Sequence, residues 1–160
     1  MKLAAVALLA FAAAAAADKP KLDMIAFFTG KSHAENVMKV AFHADKKLIV
    51  DSVGGHNKKG EFVLIDTVRE EGKPVRQRTW VMHPVGDGHF SGFLSDAVGP
   101  VDVIVSGSSA TIRYTMKDGN LKILQQLELQ SDGSSLANHV IAKKFGIRFA
   151  RVDGTIRKLD

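Results

Sequence analysis

The stretch VDVIVSGSSATIRYTMKDGNLKILQQLELQSDGS, residues 101–134, decides the fold class, because apolar and polar residues alternate through most of it. Ile112, Tyr114 and Met116, for example, are separated by single polar residues. Alternation with a period of two is typical of β-strands with one buried face and one wet face. Two Asp-Gly dipeptides, at 118–119 and 132–133, interrupt the alternation and indicate hairpin turns.

The same pattern covers most of the chain and predicts about ten strands with short connections. The predicted spans are 32–42, 47–56, 61–70, 75–83, 88–94, 101–106, 110–117, 120–130, 135–145 and 147–157. Neighbours in sequence should therefore pair antiparallel as a meander, and so long a sheet tends to curl and close. We expect an all-β protein, an up-and-down β-barrel or half-barrel, with a short N-terminal helix over residues 22–28 at one end.

The first residues have the pattern of a secretory signal peptide. Lys2 precedes an uninterrupted apolar run over 3–17, and Ala15-Ala16-Ala17 resembles a cleavage signal. A membrane anchor is the alternative, but fifteen residues are fewer than the ~20 that a spanning helix needs. We expect residues 1–17 to be removed on export to the periplasm or medium, which leaves a single domain over 18–160.

Composition narrows the function classes. The chain has no cysteine, so it has neither a disulfide framework nor the acylated cysteine of a bacterial lipoprotein. The formal charge of +5 fits contact with an anionic membrane surface, but it does not argue for nucleic acid as a partner. His83 and His89 flank one predicted hairpin, and two loosely spaced histidines do not make a zinc site. No metal, cofactor or catalytic residue is predicted.

Arg78-Thr79-Trp80 is the most suggestive stretch for a binding site. Residues two apart on a strand share a face, so Arg78 should point inward with Trp80, the only tryptophan. A buried guanidinium needs a carboxylate or several acceptors, and Asp66 and Glu128 are candidate partners. Together with Tyr114 these residues could line a ligand cavity. The alternative is a structural arginine that bonds carbonyls or packs over the tryptophan.

Asp96 and His139 complete the candidate ligand-binding residues. Asp96 lies in FLSDAVGPVD, residues 93–102, where Gly99-Pro100 suggests that 95–100 connects two strands. Its carboxylate is expected to accept N–H groups within that turn, or else to lie at the barrel mouth. His139 or Asp96 would serve a hydrolase, the third and least favoured function.

The C-terminal stretch NHVIAKKFGIRFARVDGTIRKLD, residues 138–160, is strongly basic. It is either an ordinary solvated face or a surface that holds an anionic lipid head group or membrane.

Several motifs, taken as a set, resemble bacterial domain-of-unknown-function family 3833. They are FFTG (27–30), RTW (78–80), HFSGFLSDAVGP (89–100), the strand around Arg113 and Tyr114, KFG (144–146) and TIRK (155–158). The resemblance implies a small exported or lipid-anchored envelope protein with a lipocalin-like barrel and no established activity. It brings no catalytic residues.

Two functions from different classes remain. The favoured one is a non-enzymatic barrel that binds an apolar or amphipathic, lipid-like small molecule. The other is a structural or assembly module of the cell envelope with a filled core.

Overall fold

The computed structural model describes residues 20–159, so the predicted signal peptide at 1–17 lies outside the described residues. The described chain forms one short helix and ten strands, with a single 3-10 turn at Asp118–Asn120. The elements are α1 (Met24–Phe28), β1 (Gly30–Val40), β2 (Lys46–His56), β3 (Phe62–Glu70), β4 (Arg76–Gly86), β5 (His89–Leu94), β6 (Ala97–Ser106), β7 (Ser109–Met116), β8 (Lys122–Leu129), β9 (Ser135–Lys144) and β10 (Ile147–Leu159).

The strands form a closed antiparallel barrel in which each strand pairs with its sequence neighbours. Closure comes from β1 and β10, which pair from Lys31 opposite Leu159 to Val40 opposite Ala150. The predicted lipocalin-like, up-and-down β-barrel is confirmed, and the ring is complete rather than a half-barrel. Closure leaves no open sheet edge, which is the usual reason that a long meander curls.

The two ends of the barrel differ. At the helix end, Leu22 donates its backbone N–H to Gly107 O at 2.9 Å, next to the turn between β6 and β7. Because β1 starts beside α1 and runs away from it, the β1–β2 turn at residues 41–45 lies at the opposite end, here called the far end. The β9–β10 turn at residues 145–146 lies at the far end too.

Helix α1 covers the helix end and is held in three ways. The Asp23 side chain caps its first turn by accepting the Ala26 N–H at 2.9 Å. Phe27 and Phe28 are buried against the barrel. Lys158 Nζ donates to the carbonyl oxygens of Ala26, Phe27 and Thr29 at 3.1, 3.1 and 2.6 Å, so a cation satisfies the last carbonyls of the helix.

Two glycines permit close approaches of the backbone that a side chain would block. A Cβ at Gly54 would lie 2.1 Å from the Phe28 oxygen, so this glycine lets α1 sit against β2. A Cβ at Gly154 would lie 2.1 Å from the Glu35 oxygen and 2.4 Å from Asn36 Oδ1, so Gly154 lets β10 pack on β1.

The strand bounds agree with the predicted spans to within a few residues, except at β6. The sequence places a connector at 95–100, but β6 starts at Ala97. Gly99, with φ of 72°, and Pro100 fall in a register irregularity between Val98 and Asp102. The Gly-Pro pair therefore makes a bulge within a strand rather than a turn between strands. Within residues 20–159 there is no helix long and apolar enough to cross a membrane.

Candidate functional site

The barrel interior contains a cavity of about 100 Å³. Side chains of α1, Met24, Ile25 and Phe28, line it at the helix end, and apolar residues of several strands such as Phe62 and Phe90 line its sides. Two polar groups of side chains interrupt this apolar lining, one on β2–β4 and one on β1, β8 and β9. The cavity is thus apolar with two polar walls.

The first polar wall is built around Asp66, which is only 3% exposed. Its Oδ1 accepts the Ser52 hydroxyl at 2.7 Å. Its Oδ2 accepts both Arg78 Nε at 2.9 Å and the indole N–H of Trp80 at 2.8 Å. Three donors therefore satisfy a buried carboxylate, and this arrangement stabilises a charge that would otherwise be costly inside a protein.

Arg78 and Trp80 lie on the inner face together, as the sequence predicts. The Arg78 guanidinium carbon lies 5.2 Å from the centre of the Trp80 ring, a cation–π geometry. Burial alone would lower the pKa of Arg78, but Tyr114 and the carboxylates of Asp66 and Asp96 raise it above its ordinary value. The arginine stays charged, and Asp66 is the carboxylate partner that the sequence named as a candidate.

Tyr114 packs behind this group rather than against the cavity. Its ring meets Trp80 edge-on, with ring centres 5.6 Å apart and planes at 85°. Burial raises the pKa of the Tyr114 hydroxyl, and the nearby Arg78 partly offsets that rise. Tyr114 therefore orients Trp80 and faces Arg78, and it is not among the residues that line the cavity.

The second polar wall is a chain of buried amides that the sequence analysis missed. Gln125 Nε2 donates to Asn138 Oδ1 at 2.7 Å, and Asn138 Nδ2 donates to Asn36 Oδ1 at 2.9 Å. Asn36 Nδ2 in turn donates to the Leu48 oxygen at 3.2 Å. The sequence does contain a signal for this wall, because Asn138 alternates in phase with Leu136 and Val140, which face inward, and so lies on the same face of β9.

Asp96 and His139 lie outside the cavity lining. Asp96 sits in the β5–β6 turn at the far end, where Oδ2 accepts Arg76 Nη1 at 2.8 Å. No backbone N–H of its turn binds the carboxylate, so the expected turn-capping role is wrong. Its Oδ1 is buried without a hydrogen-bond partner among residues 20–159. His139 is on the outer wall, bonded to Asp153, and takes no part in the cavity.

The basic C-terminal stretch does not form one surface. Lys143, Lys144 and Arg148 lie at the far end, whereas Lys158 caps α1 at the helix end. Arg151 is paired with Asp153 on the outer wall. A single basic face along residues 138–160 is therefore wrong, and only its first part remains available to an anionic surface.

Histidine–aspartate pairs recur on the outer wall between neighbouring strands. His33 Nδ1 bonds Asp51 Oδ1 at 2.6 Å, and Arg69 bonds the other oxygen of Asp51. The hydrogen bond with Asp51 raises the pKa of His33, and the hydrogen bonds from His33 and then Arg69 lower the pKa of Asp51. His89 and Asp102 form a similar pair at 2.7 Å. Among residues 20–159 there is no group of three or more metal-ligating side chains arranged to hold a metal ion.

Comparison with known proteins bears on the family and the fold. The sequence matches the model of a family described as "Protein of unknown function (DUF3833)" over residues 4–158. No curated protein matches the chain. Eighteen solved chains do match.

Three solved structures have a similar fold. The S-type phycobiliprotein lyase CPES from Guillardia theta aligns with a TM-score of 0.64 at 4% identity, over 85% of this chain and 90% of that one. Rv2717c from M. tuberculosis aligns with a TM-score of 0.57 at 11% identity, over 84% and 94%. A protein of unknown function from the DUF3598 family of Nostoc punctiforme aligns with a TM-score of 0.59 at 12% identity, and the match spans 89% of this chain but 51% of that one. At these identities the likeness shows the fold alone.

Proposed function

The chain belongs to the DUF3833 family of proteins of unknown function, and we propose that it is a non-enzymatic barrel that binds an apolar or amphipathic small molecule in its interior. The observation that carries the proposal is the cavity of about 100 Å³, mostly apolar and bordered by two groups of buried polar side chains. Small-molecule sites commonly combine an apolar lining with a few placed polar groups. That one similar fold belongs to a phycobiliprotein lyase is consistent with a barrel that handles a small molecule.

Cavity size limits what fits. An apolar cavity of about 150 Å³ holds a benzene-sized molecule. The present cavity, at about 100 Å³, admits the end of a hydrocarbon chain, and it admits a small ring with a slight outward shift of α1. A larger lipid-like molecule would enter with one end and leave the rest outside, or would displace α1, whose side chains line the cavity. The amides of Asn36, Gln125 and Asn138 then offer hydrogen bonds to a polar group on the ligand.

The ion pair between Asp66 and Arg78 limits the charge that a bound ligand needs. Because Asp66 already neutralises Arg78, no anionic ligand group is needed to balance the buried guanidinium. We therefore propose a ligand whose buried part is uncharged.

The single tryptophan gives a direct test, since Trp80 lines the cavity. Titration with toluene, followed by Trp80 fluorescence and the indole N–H resonance, should show saturable binding. Ala34 is buried and lines the cavity, so Ala34→Leu should fill space and weaken toluene binding about ten-fold or more. Ala41→Leu, on an exposed turn, is the matched control. Binding unchanged by Ala34→Leu in a folded protein would contradict an interior site.

A structural module with a filled core is the second candidate. The saturated hydrogen bonding of Asp66 favours it, because such a network needs no ligand to complete it. Native mass spectrometry after gentle purification separates the two functions. A co-purifying small-molecule mass supports binding, whereas a clean apo mass together with no toluene uptake favours the structural module.

We further propose that the protein is exported and works in the periplasm or outside the cell. The charged start and apolar run before Asp18 support this proposal. N-terminal sequencing of periplasmic material should begin at Asp18. A protein that retains Met1 in the membrane fraction would contradict cleavage.

A further inference from the structure

Four large apolar side chains are exposed on two adjacent hairpins at the far end. Phe42 is 106% exposed, Phe145 93%, Ile147 74% and Phe149 47%. Phe42 lies in the β1–β2 turn and the others lie in or next to the β9–β10 turn. Because β1 pairs with β10 up to Val40 opposite Ala150, the two turns project side by side. We name residues 39–47 and 143–149 the tip surface.

The backbone holds the two exposed phenylalanines in an unfavourable conformation. Phe42 has φ of 63° and Phe145 has φ of 50°. Positive φ is uncommon for any non-glycine residue and is a real outlier for a bulky one. Phe145 and Gly146, with φ of 76°, form a two-residue hairpin loop with both φ values positive, where Asn-Gly is the favoured pair. Stability alone would favour asparagine at both positions. The two phenylalanines therefore strain the backbone, and because their rings are exposed, burial of apolar surface does not offset that strain.

The rings are surrounded by positive charge. The tip surface contains Lys39, Lys46, Lys47, Lys143, Lys144 and Arg148 and one acid, Asp45. Asp45 is paired with Lys39 at 3.2 Å. Lys144 Nζ lies 5.9 Å from the centre of the Phe145 ring. Lys46 Nζ lies 3.8 Å from Glu70 Oε1. Among the residues that the structure describes, no ion pair is formed by Lys47, Lys143 or Arg148.

We propose that the tip surface docks the barrel on an anionic lipid bilayer, with Phe42 and Phe145 inserted at the level of the head groups. Exposed aromatic rings next to lysines match an interface that is apolar below and negatively charged above. A second copy of this chain fits less well, because a symmetric contact through this surface would bring the two basic clusters together. The inference does not depend on what the cavity holds.

Flotation with lipid vesicles tests the docking. The protein should bind phosphatidylcholine vesicles that contain phosphatidylglycerol, bind vesicles of phosphatidylcholine alone much more weakly, and be released as salt is raised. The double variant Phe42→Asn/Phe145→Asn should lower the partition coefficient about ten-fold or more, since it removes the two rings that insert into the bilayer. Lys143→Gln and Lys144→Gln should each lower it about five-fold.

The same asparagine variants separate docking from folding. Asparagine tolerates positive φ, so their Tm should be equal to or above that of the wild type. Phe93→Thr is the matched control, because Phe93 is 52% exposed on β5, outside the tip surface. It should leave vesicle binding unchanged.

Four outcomes of the vesicle and stability measurements would overturn the proposal. They are absence of binding to anionic vesicles at low salt, equal binding to neutral vesicles, binding unaffected by the double variant, and a lowered Tm in that variant, which would make the rings structural. Sedimentation that shows a wild-type dimer, lost in the double variant, would assign the surface to a second copy and overturn it as well.

Discussion

Asp66 and Arg78 lie directly opposite each other in the β3–β4 ladder, and their ion pair, 2.9 Å between Oδ2 and Nε, points into the barrel. Their side chains are only 4% and 16% exposed. The same Asp66 oxygen also accepts the Trp80 indole N–H. The pair thus fixes the position of the tryptophan at the cavity wall, and its loss should affect both stability and the site.

Arg78→Leu should destabilise the protein by about 3–5 kcal/mol, because it leaves the Asp66 charge buried with one donor fewer. Chemical denaturation of the apo protein measures this. Arg76→Leu on the same strand is the control, since Arg76 and Asp96 form a more exposed pair worth about 0–1 kcal/mol. If both variants lower the free energy of unfolding by the same small amount, the buried Asp66 carboxylate does not need Arg78 as its partner.

Gly154→Ala should destabilise the protein by about 2–3 kcal/mol, because the new Cβ would overlap the Glu35 oxygen in the ladder that closes the barrel. Gly55→Ala is the matched control, since a Cβ there meets nothing within 4 Å. Its effect should stay within about 0.5 kcal/mol. Thermal melts of the two variants check the difference. Similar melting temperatures would mean that β1 and β10 can shift apart at no cost.

The His33–Asp51 pair should titrate as a unit. The hydrogen bond with Asp51 raises the pKa of His33 above its ordinary 6.5, so this contribution to stability is complete below pH 6.5 and is lost as pH rises through the raised pKa. The pKa of Asp51 is lowered from 3.8, so its contribution is lost as pH falls through that lower value. An NMR titration should show His33 titrating above 6.5 in the wild type and lower in Asp51→Asn. The same His33 pKa in both proteins would contradict the pairing.

Lys158→Met should loosen α1 without opening the barrel. The change removes donors from three carbonyl oxygens at the end of the helix, and we expect a cost of about 1–2 kcal/mol. Hydrogen exchange of the amides around Phe27 should speed up, while exchange in the strands stays slow. Arg157→Met, at an exposed neighbouring position, serves as the control. Unchanged exchange in α1 would show that the buried phenylalanines alone hold the helix.

Strands and their faces are predictable here because alternation is a local property of the sequence. Arg78 and Trp80 are two residues apart and therefore lie on the same face of β4, so the sequence alone predicts which side chains of β4 point inward. Gly99-Pro100 misled the prediction of β6 because the same dipeptide suits a turn and a bulge equally well. Only pairing with β7 distinguishes the two, and that pairing is not local.

The candidate site was less predictable, for reasons that its residues make clear. Asp96, in the β5–β6 turn, binds Arg76, which lies 20 residues earlier on β4, and no local rule selects that partner. The amide wall is harder to predict, because polar residues such as Asn138 and Asn36 ordinarily face solvent, yet both are in phase with buried neighbours. Buried amides are tolerated when they bond each other, and that condition depends on the register of three strands.

Closure of the barrel by β1 and β10 has a consequence for how the chain folds. The ladder joins residues near the start of the domain to its last strand, so the sheet keeps two open edges until residues 147–159 are available. Open edges are templates for pairing with other chains. A chain shortened before Ile147 would expose the edges of β1 and β9 and should aggregate, and an emerging chain has the same hazard until its final strand arrives. Such late, long-range pairing also makes folding slow compared with helical proteins of this size.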